Sequence, residues 1–452
     1  MELNLIDKNY IKLIKELMSK GSLNELNNLL VQLHPEDLLV LIHQLSIEER
    51  LSILSQIDRP ILLKVLVNLD EPTRELFFDS YSASEIANDF IEHMDSDDAA
   101  FVLAQLSENT KDEVLNNLSD IDYASQLLAL LSYKENTAGS LMAVELVKTS
   151  LSASVKSCIE EIRKQAENVN SIYVVYVVDD FERLVGLITL KNLILASPES
   201  SIAEVCNKQV ISVPTSANIE EISNTTRKYD LVVLPVVDAI GRLVGRITVD
   251  DVVEIMHDEA DEDYQLMSGI TEDVVSTDKV WVLSRARLPW LVIGLLGGIA
   301  SSRFLELYED QIRIHPEMAF FMPLIAAMGG NAGVQSSAIV VQGLVNDTLG
   351  SKNIIQKILK ESRVALLNGL ICSVIILLYG YFFAPNSNMS GVVALALMTV
   401  IVFASIFGTM VPMLLHKLKI DPAIATGPFI TTTNDLLGIA IYFSLGHWFY
   451  YP

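Results

Sequence analysis

The last third of this 452-residue chain is dominated by five apolar stretches, at about 288–307, 318–345, 362–383, 391–415 and 424–450. Each is close to the ~20 residues that a helix needs to cross a bilayer core. Their succession commits residues 285–452 to an α-helical membrane domain of five helices, with the lipid bilayer as its solvent. The first stretch is the least clean, because Arg303 falls near its end. The fifth contains the oddest residue of the chain. In PFITTTNDLLGIAIYFSLGHWFYY, Asp435 carries the only formal charge between Asp421 and the C-terminus. A carboxylate near the middle of a bilayer costs at least a few kcal/mol, so it calls for a function.

Charge divides the chain in the same place. Residues 281–452 hold 10 Lys and Arg against 8 Asp and Glu, whereas residues 1–280 hold 22 against 49. So acidic a soluble part repels nucleic acid and attracts cations. Cys158, Cys206 and Cys372 are far apart and form no CxxC pair, which argues against a disulfide framework or a zinc site. The start, MELNLIDKNYIKLIKELMSK, is amphipathic and lacks the apolar core of a signal peptide, so the soluble part is expected in the cytoplasm. Flanking charges agree. One set of connections holds Arg285, Arg287, Lys352, Lys357, Lys360, Arg363, Lys417 and Lys419, and the opposite set only Arg303 and Arg313. The positive-inside rule puts the first set in the cytoplasm, and five crossings then leave the C-terminus outside.

Residues 1–132 show apolar residues at three- and four-residue spacing, which predicts helix after helix. HPEDLLVLIHQLS (34–46) aligns with DSDDAAFVLAQLS (95–107), the mark of short helical repeats stacked into a superhelix. Residues 133–256 repeat more clearly: YVVDDFERLVGLITLKNL (176–193) aligns with PVVDAIGRLVGRITVDDV (235–252) at a constant offset of 59. Each copy reads as strand, turn, strand and helix start, and the pair resembles tandem CBS domains, at about 133–200 and 201–256. The closing G-h-h-T-x-x-[ND] signature appears as Gly186, Thr189 and Asn192, and again as Gly245, Thr248 and Asp251. A hydroxyl with an amide or carboxylate at a helix start suits ribose and phosphate, and equally suits plain capping. The acidic DDVVEIMHDEADEDYQLM then leads into a connecting helix assigned to residues 257–284.

Three features break the apolar pattern in the membrane part. In PLIAAMGGNAGVQSS (323–337), three glycines thin one side of a helix while Asn331 and Gln335 share a face. Asp421-Pro422 opens the fifth segment. Asp435 shares a helical face with Thr431 and Gly438. Because no Lys or Arg lies at comparable depth, Asp435 is expected to face water or a cation, with a proton relay as the alternative. Oxygen-only ligands favour a hard cation. One carboxylate per chain is too few to strip water from Mg²⁺, so a homodimer presenting two to a hydrated divalent ion suits the residues.

With these motifs in hand, the chain resembles the MgtE-type magnesium channels of bacteria over essentially its whole length, including YKENTAGSLM (133–142), P-x5-GGN-x-G-x-Q from Pro323 to Gln335, and DP-x12-ND from Asp421 to Asp435. The resemblance implies a multidomain, homodimeric Mg²⁺ channel of the cell membrane. It implies an all-α N-domain, α/β tandem CBS domains and an α-helical membrane domain whose second and fifth helices form the pore. Asp435 would be the selectivity carboxylate, Asn331, Thr431 and Gly330 would line the path, and Asp421 would stand at its cytoplasmic mouth. The resemblance also implies regulatory Mg²⁺ sites that close the pore. By position these take Asp97 or Asp98, then Glu220, Asp230 and Asp251, with Glu254, Glu259, Glu262 and Asp263 on the connecting helix. Asn218 stands where the family pattern has another acid. Some members bind ATP at the CBS pair, for which Thr189, Lys191, Asn192 and Asp179 are the candidates. A proton- or sodium-coupled carrier and a non-transporting sensor remain the rival readings. No nucleophile–base pair or P-loop suggests an enzyme.

Overall fold

A computed structural model describes residues 8–166, 169, 171–272, 274, 279–345, 354–383, 389–425 and 427–450. Lys352, one of the charges that orient the membrane part, lies outside them. The chain forms two compact units, Met1–Glu254 and Ile255–Pro452.

The first unit opens with short helices, including Lys8–Lys20, Pro35–His43, Ile47–Leu54, Glu71–Phe78, Ser96–Ala104 and Ile121–Leu131. Local chemistry starts most of them. Ser46 and Glu49 form a capping box, Asp70 accepts the Thr73 N–H, and Pro35 occupies the first turn of its helix, where a missing N–H matters least. The two sequence repeats fall on corresponding elements, since Asp37 and Asp98 both stand in the first turn of a helix. Leu38, Leu41, Ile42, Ile53, Leu54 and Leu103 are fully buried, and their core continues through Met142 to Ile222, Leu234 and Ile247 of the second α/β copy. Helical domain and second copy thus share one core.

Each α/β copy is a three-stranded sheet. Lys148–Ser150 lies parallel to Val174–Val178, which pairs antiparallel with Leu184–Thr189. The second copy repeats this with Val213–Pro214, Val233–Val237 and Leu243–Thr248. Equivalent pairs, Val174 with Thr189 and Val233 with Thr248, keep the sequence offset, and the register slips at the same place in both hairpins. The hairpin tips join: Leu184 N–H donates to the Gly241 carbonyl at 3.2 Å and Leu243 N–H to the Glu182 carbonyl at 3.0 Å. A single helix, Val249–Met267, runs through the expected boundary at residue 256, because its acids alternate with enough apolar residues to sustain helical periodicity.

The second unit contains the long helices Val280–Glu306, Glu317–Val345, Ile354–Phe383, Met389–Lys417 and Pro428–Tyr450. Among the described residues, four helices are long and apolar enough to cross a membrane. The five expected crossings therefore meet four such helices plus Pro428–Tyr450, whose TTTND run lowers its apolarity. The first long helix begins at Val280, before the expected 288, and the third at Ile354, before 362. The second and fourth cross backbone to backbone. A Cβ added to Gly408 would lie 2.2 Å from the Gly333 carbonyl oxygen, closer than any side chain can approach. Gly391, on the same helix as Gly408, has open space beside it. Gly408→Val is therefore expected to lower the thermal midpoint in detergent, losing roughly 1–3 kcal/mol or more. Gly391→Val should leave it within error, and equal effects of the two would refute this packing.

Candidate ion pathway and cation-sensing acids

The pathway candidates meet where the Glu317–Val345 and Pro428–Tyr450 helices cross. From the position a Cβ on Gly330 would take, Thr431 Cγ2 is 3.2 Å away and Asp435 Oδ1 3.3 Å away. Glycine lets the carboxylate approach the backbone of the facing helix. Thr431 and Asp435, four residues apart, point to the same side, as their spacing predicts. The Thr431 hydroxyl donates to the Gly427 carbonyl at 3.1 Å, which leaves its oxygen lone pairs available. Asp435 is half-buried, and no basic side chain among the described residues forms an ion pair with it. Asn331 and Gln335 lie on an exposed face of their helix, so within one chain this side is open. Asp421 accepts the Ala423 N–H at 2.8 Å, capping the short Pro422–Ala425 turn ahead of the fifth long helix.

In the first unit, Asp97 and Asp98 begin the Ser96–Ala104 helix and feel the charges of Asp251 and Glu145, and Asp98 also that of Glu254. Burial, reinforced by the neighbouring Asp98, pushes Asp97 up to about 8. Burial, reinforced by Asp95, pushes Asp98 up to about 6. Asp251 is itself anchored, accepting from the Thr248 N–H at 3.0 Å and the Thr248 hydroxyl at 2.5 Å. In the second unit, burial with Asp421 and Glu262 nearby pushes Asp263 up to about 6. The structure thus sets Asp97 and Asp98 within electrostatic reach of Asp251, with Glu254 near Asp98, in one unit, and Asp263 within reach of Glu262 and of Asp421, which was expected at the pathway mouth, in the other.

Other expected residues stand apart. Glu220 and Asp230 are exposed, at opposite ends of the Ile219–Lys228 helix, and Asp230 takes the left-handed conformation (φ 50°) just past its end. Asn218 caps that helix, accepting the Glu221 N–H at 2.8 Å. Glu259 is exposed on the Val249–Met267 helix. Among the described residues no three His, Cys, Asp or Glu side chains close around a single point.

At the first α/β copy, Thr189, Lys191 and Asn192 are exposed around one helix start, where the Thr189 hydroxyl accepts the Asn192 N–H at 3.3 Å. Asp179 does not join them. Thr189 pairs with Val174 at one end of the hairpin, whereas Asp179 sits in the turn at the other, about five strand residues or ~17 Å away. There it accepts the N–H groups of Phe181 and Arg183, both at 2.9 Å, as Asp238 does for Ile240 and Arg242 in the second copy. This repeated Asp is a turn residue.

Comparison with known proteins matches most of this arrangement. The MgtE pattern, described as a divalent cation transporter, covers residues 322–445, the MgtE intracellular N domain residues 33–136, and CBS domains residues 138–199 and 202–258. The chain is 34% identical over 352 residues to the magnesium transporter MgtE of Bacillus subtilis, covering 78% of either protein. It is 35% identical over 326 residues to that of Enterococcus faecalis, covering 72% of each. The chain belongs to the MgtE family. A solved cytosolic domain of the Mg²⁺ channel MgtE in complex with ATP superimposes with TM-score 0.50 at 32% identity, over 54% of this chain and 98% of that one.

Sequence reasoning missed one acid in this MgtE-family chain. Glu145 grips the start of the Asp97-bearing helix, accepting from the Ser96 N–H at 3.1 Å and the Ser96 hydroxyl at 2.9 Å. It lies in a connection without a motif, 49 residues from its partner, so no local signal marks it. Asp97 and Asp98 also yield a pH prediction. Their folded-state pKa values lie above the ordinary 3.8, so they support the folded unit while protonated. That support is full below about pH 4 and is lost as pH rises through about 6 and then 8. Without divalent cations, Asp97→Asn should match the parent near pH 4 and exceed it by up to a few kcal/mol near pH 8.5. Parallel melting curves of the two proteins across that range would refute the assignment.

Proposed function

We propose that this chain is a Mg²⁺ channel that works as a homodimer, with Asp435 contacting the permeating ion and the cytosolic acids closing the pore when Mg²⁺ is abundant. The observation that carries the reading is Asp435 against the bare backbone of Gly330, with no basic residue among the described ones paired to it. An unpaired carboxylate among apolar helices is held there for a cation. The open side bearing Asn331 and Gln335 leaves room for a second copy, whose Asp435 would supply the other half of a site for a hydrated divalent ion. The named relatives transport magnesium, which fits an oxygen-only donor set. The N-terminal unit stands in the cytoplasm and the C-terminus outside, as the flanking Lys and Arg require.

Closure follows from the crowded acids. Asp97 and Asp98 facing Asp251, and Asp263 facing Asp421, repel one another unless protonated or bridged by a cation. Bound Mg²⁺ therefore favours the arrangement that holds them close and shifts the population toward it. Asp421 leads directly into the pore helix, so a cation held between it and Asp263 acts at the mouth. Glu254, Glu259 and Glu262 extend the acidic helix surface, while Glu220 and Asp230 offer peripheral sites. ATP would be held by Thr189, Lys191 and Asn192, in keeping with the ATP complex of the related cytosolic domain.

Patch recording tests the channel. Currents carried by Mg²⁺, suppressed by raising Mg²⁺ on the cytoplasmic side and abolished by Asp435→Ala, are expected. Uptake without current but with coupled proton or sodium movement would replace the channel by a carrier, and intact currents in Asp435→Ala would end the pore assignment. For the nucleotide, Asn192→Ala should weaken ATP binding by roughly tenfold, the loss of about one hydrogen bond, whereas Asp179→Asn should not. Calorimetry on the cytosolic unit decides, and the reverse order would restore Asp179 to the site.

A further inference from the structure

Asp435 is not the only acid embedded among the long helices. Glu361 stands in the second turn of Ile354–Phe383, at the edge of the apolar stretch, and is half-buried. Its Oε1 accepts a 2.6 Å hydrogen bond from Ser336 Oγ of the Glu317–Val345 helix. Ser336 is 3% exposed and its neighbour Ser337 is fully buried. Lys357, Lys360 and Arg363 are close in sequence, yet among the described residues none forms an ion pair with Glu361. A carboxylate in this setting needs a reason, and it is hydrogen-bonded to a serine on the helix that carries Gly330 and Asn331.

The helical wheel separates Glu361 from the ion. At about 100° per residue, Ser336 lies about 140° around its helix from Asn331 and about 120° from Gly330. Asn331 and Gln335 are on the exposed face while Ser336 is buried, so Glu361 holds the helix from behind. Ser336 is also about 9 Å along the axis from Gly330, beyond the glycine-thinned segment that meets Asp435. A hydrogen bond to a carboxylate is short and about twice as strong as a neutral one, which makes it an effective anchor for that half of the helix.

We propose that Glu361 is a positioning residue of the ion pathway: through Ser336 it fixes the helix that presents Gly330 and Asn331 to Asp435, without itself touching the ion. The proposal rests on the pathway reading above, and Asp435→Ala serves as its separate control.

The test is Mg²⁺ current in the full-length protein, with the Mg²⁺ to Ca²⁺ permeability ratio and the thermal midpoint in detergent measured alongside. Glu361→Ala and Ser336→Ala should each lower the current roughly fivefold to tenfold and shift the permeability ratio, the scale of one charge-assisted hydrogen bond. The double variant should be no worse than either single one. Glu361→Gln keeps an oxygen acceptor for Ser336 and should stay within about twofold of the parent. A Glu361→Gln loss as deep as that of Glu361→Ala would overturn the proposal and make the charge an ion contact. An unchanged ratio with a fallen midpoint would also overturn it, reducing the bond to stability, as would parental currents in both alanine variants. If Asp435→Ala leaves the current intact, the underlying pathway reading fails instead.

Discussion

A carboxylate among apolar helices, with no base paired to it among the described residues, sets the terms for the membrane unit. Asp435 cannot face lipid, because its desolvation would exceed what any neighbouring packing returns. It must therefore look onto an open face, and the helix opposite must come close without blocking it. Glycine at 330 meets both demands, since even a methyl group there would press tightly on the Asp435 oxygen and on Thr431. The crossing of Gly333 and Gly408 behind it fixes the spacing, because helices that touch backbone to backbone have little room to slide. Glu361 and Ser336 add a polar hold farther along the same helix.

The same physics recurs outside the membrane. Asp97 and Asp98 are held near Asp251, and Asp263 near Asp421, at separations that raise the energy of the charged forms. In water such acids would drift apart. Structure keeps them together: Glu145 holds the start of one helix through Ser96, and Thr248 holds Asp251. The Val249–Met267 helix carries Asp251 near its beginning and Asp263 near its end, so one element supplies acids to both groupings.

Much of this was legible because it is periodic. The offset of 59 residues reproduces the strand register, as Val174–Thr189 and Val233–Thr248 attest, since equivalent apolar residues fill equivalent sheet positions. The pairing of Thr431 with Asp435 followed from helical spacing alone. Where reading failed, position had been mistaken for contact. Asp179 shares its copy with Thr189, but an antiparallel hairpin sends turn and strand end to opposite poles. At the boundary expected near 256 acidity changes while helical periodicity does not, so one helix runs across it. Glu145 was silent because its partner is distant in sequence, and Glu361 was hidden by Lys357, Lys360 and Arg363, which made its surroundings look like an ordinary cytoplasmic flank.

The raised pKa values place the cytosolic acids in a particular competition. An acid that titrates near 8 is mostly protonated at neutral pH unless a cation is present, so any ion that binds Asp97 must first displace a proton. Asp98 and Asp263, near 6, are mostly charged under the same conditions and offer the first hold. A graded set of this kind spreads occupancy over a wider concentration range than identical sites would, because each step faces a different proton cost. Under the gating proposed above, a fall in cytoplasmic pH would protonate Asp98 and Asp263 and weaken closure, because both titrate near 6.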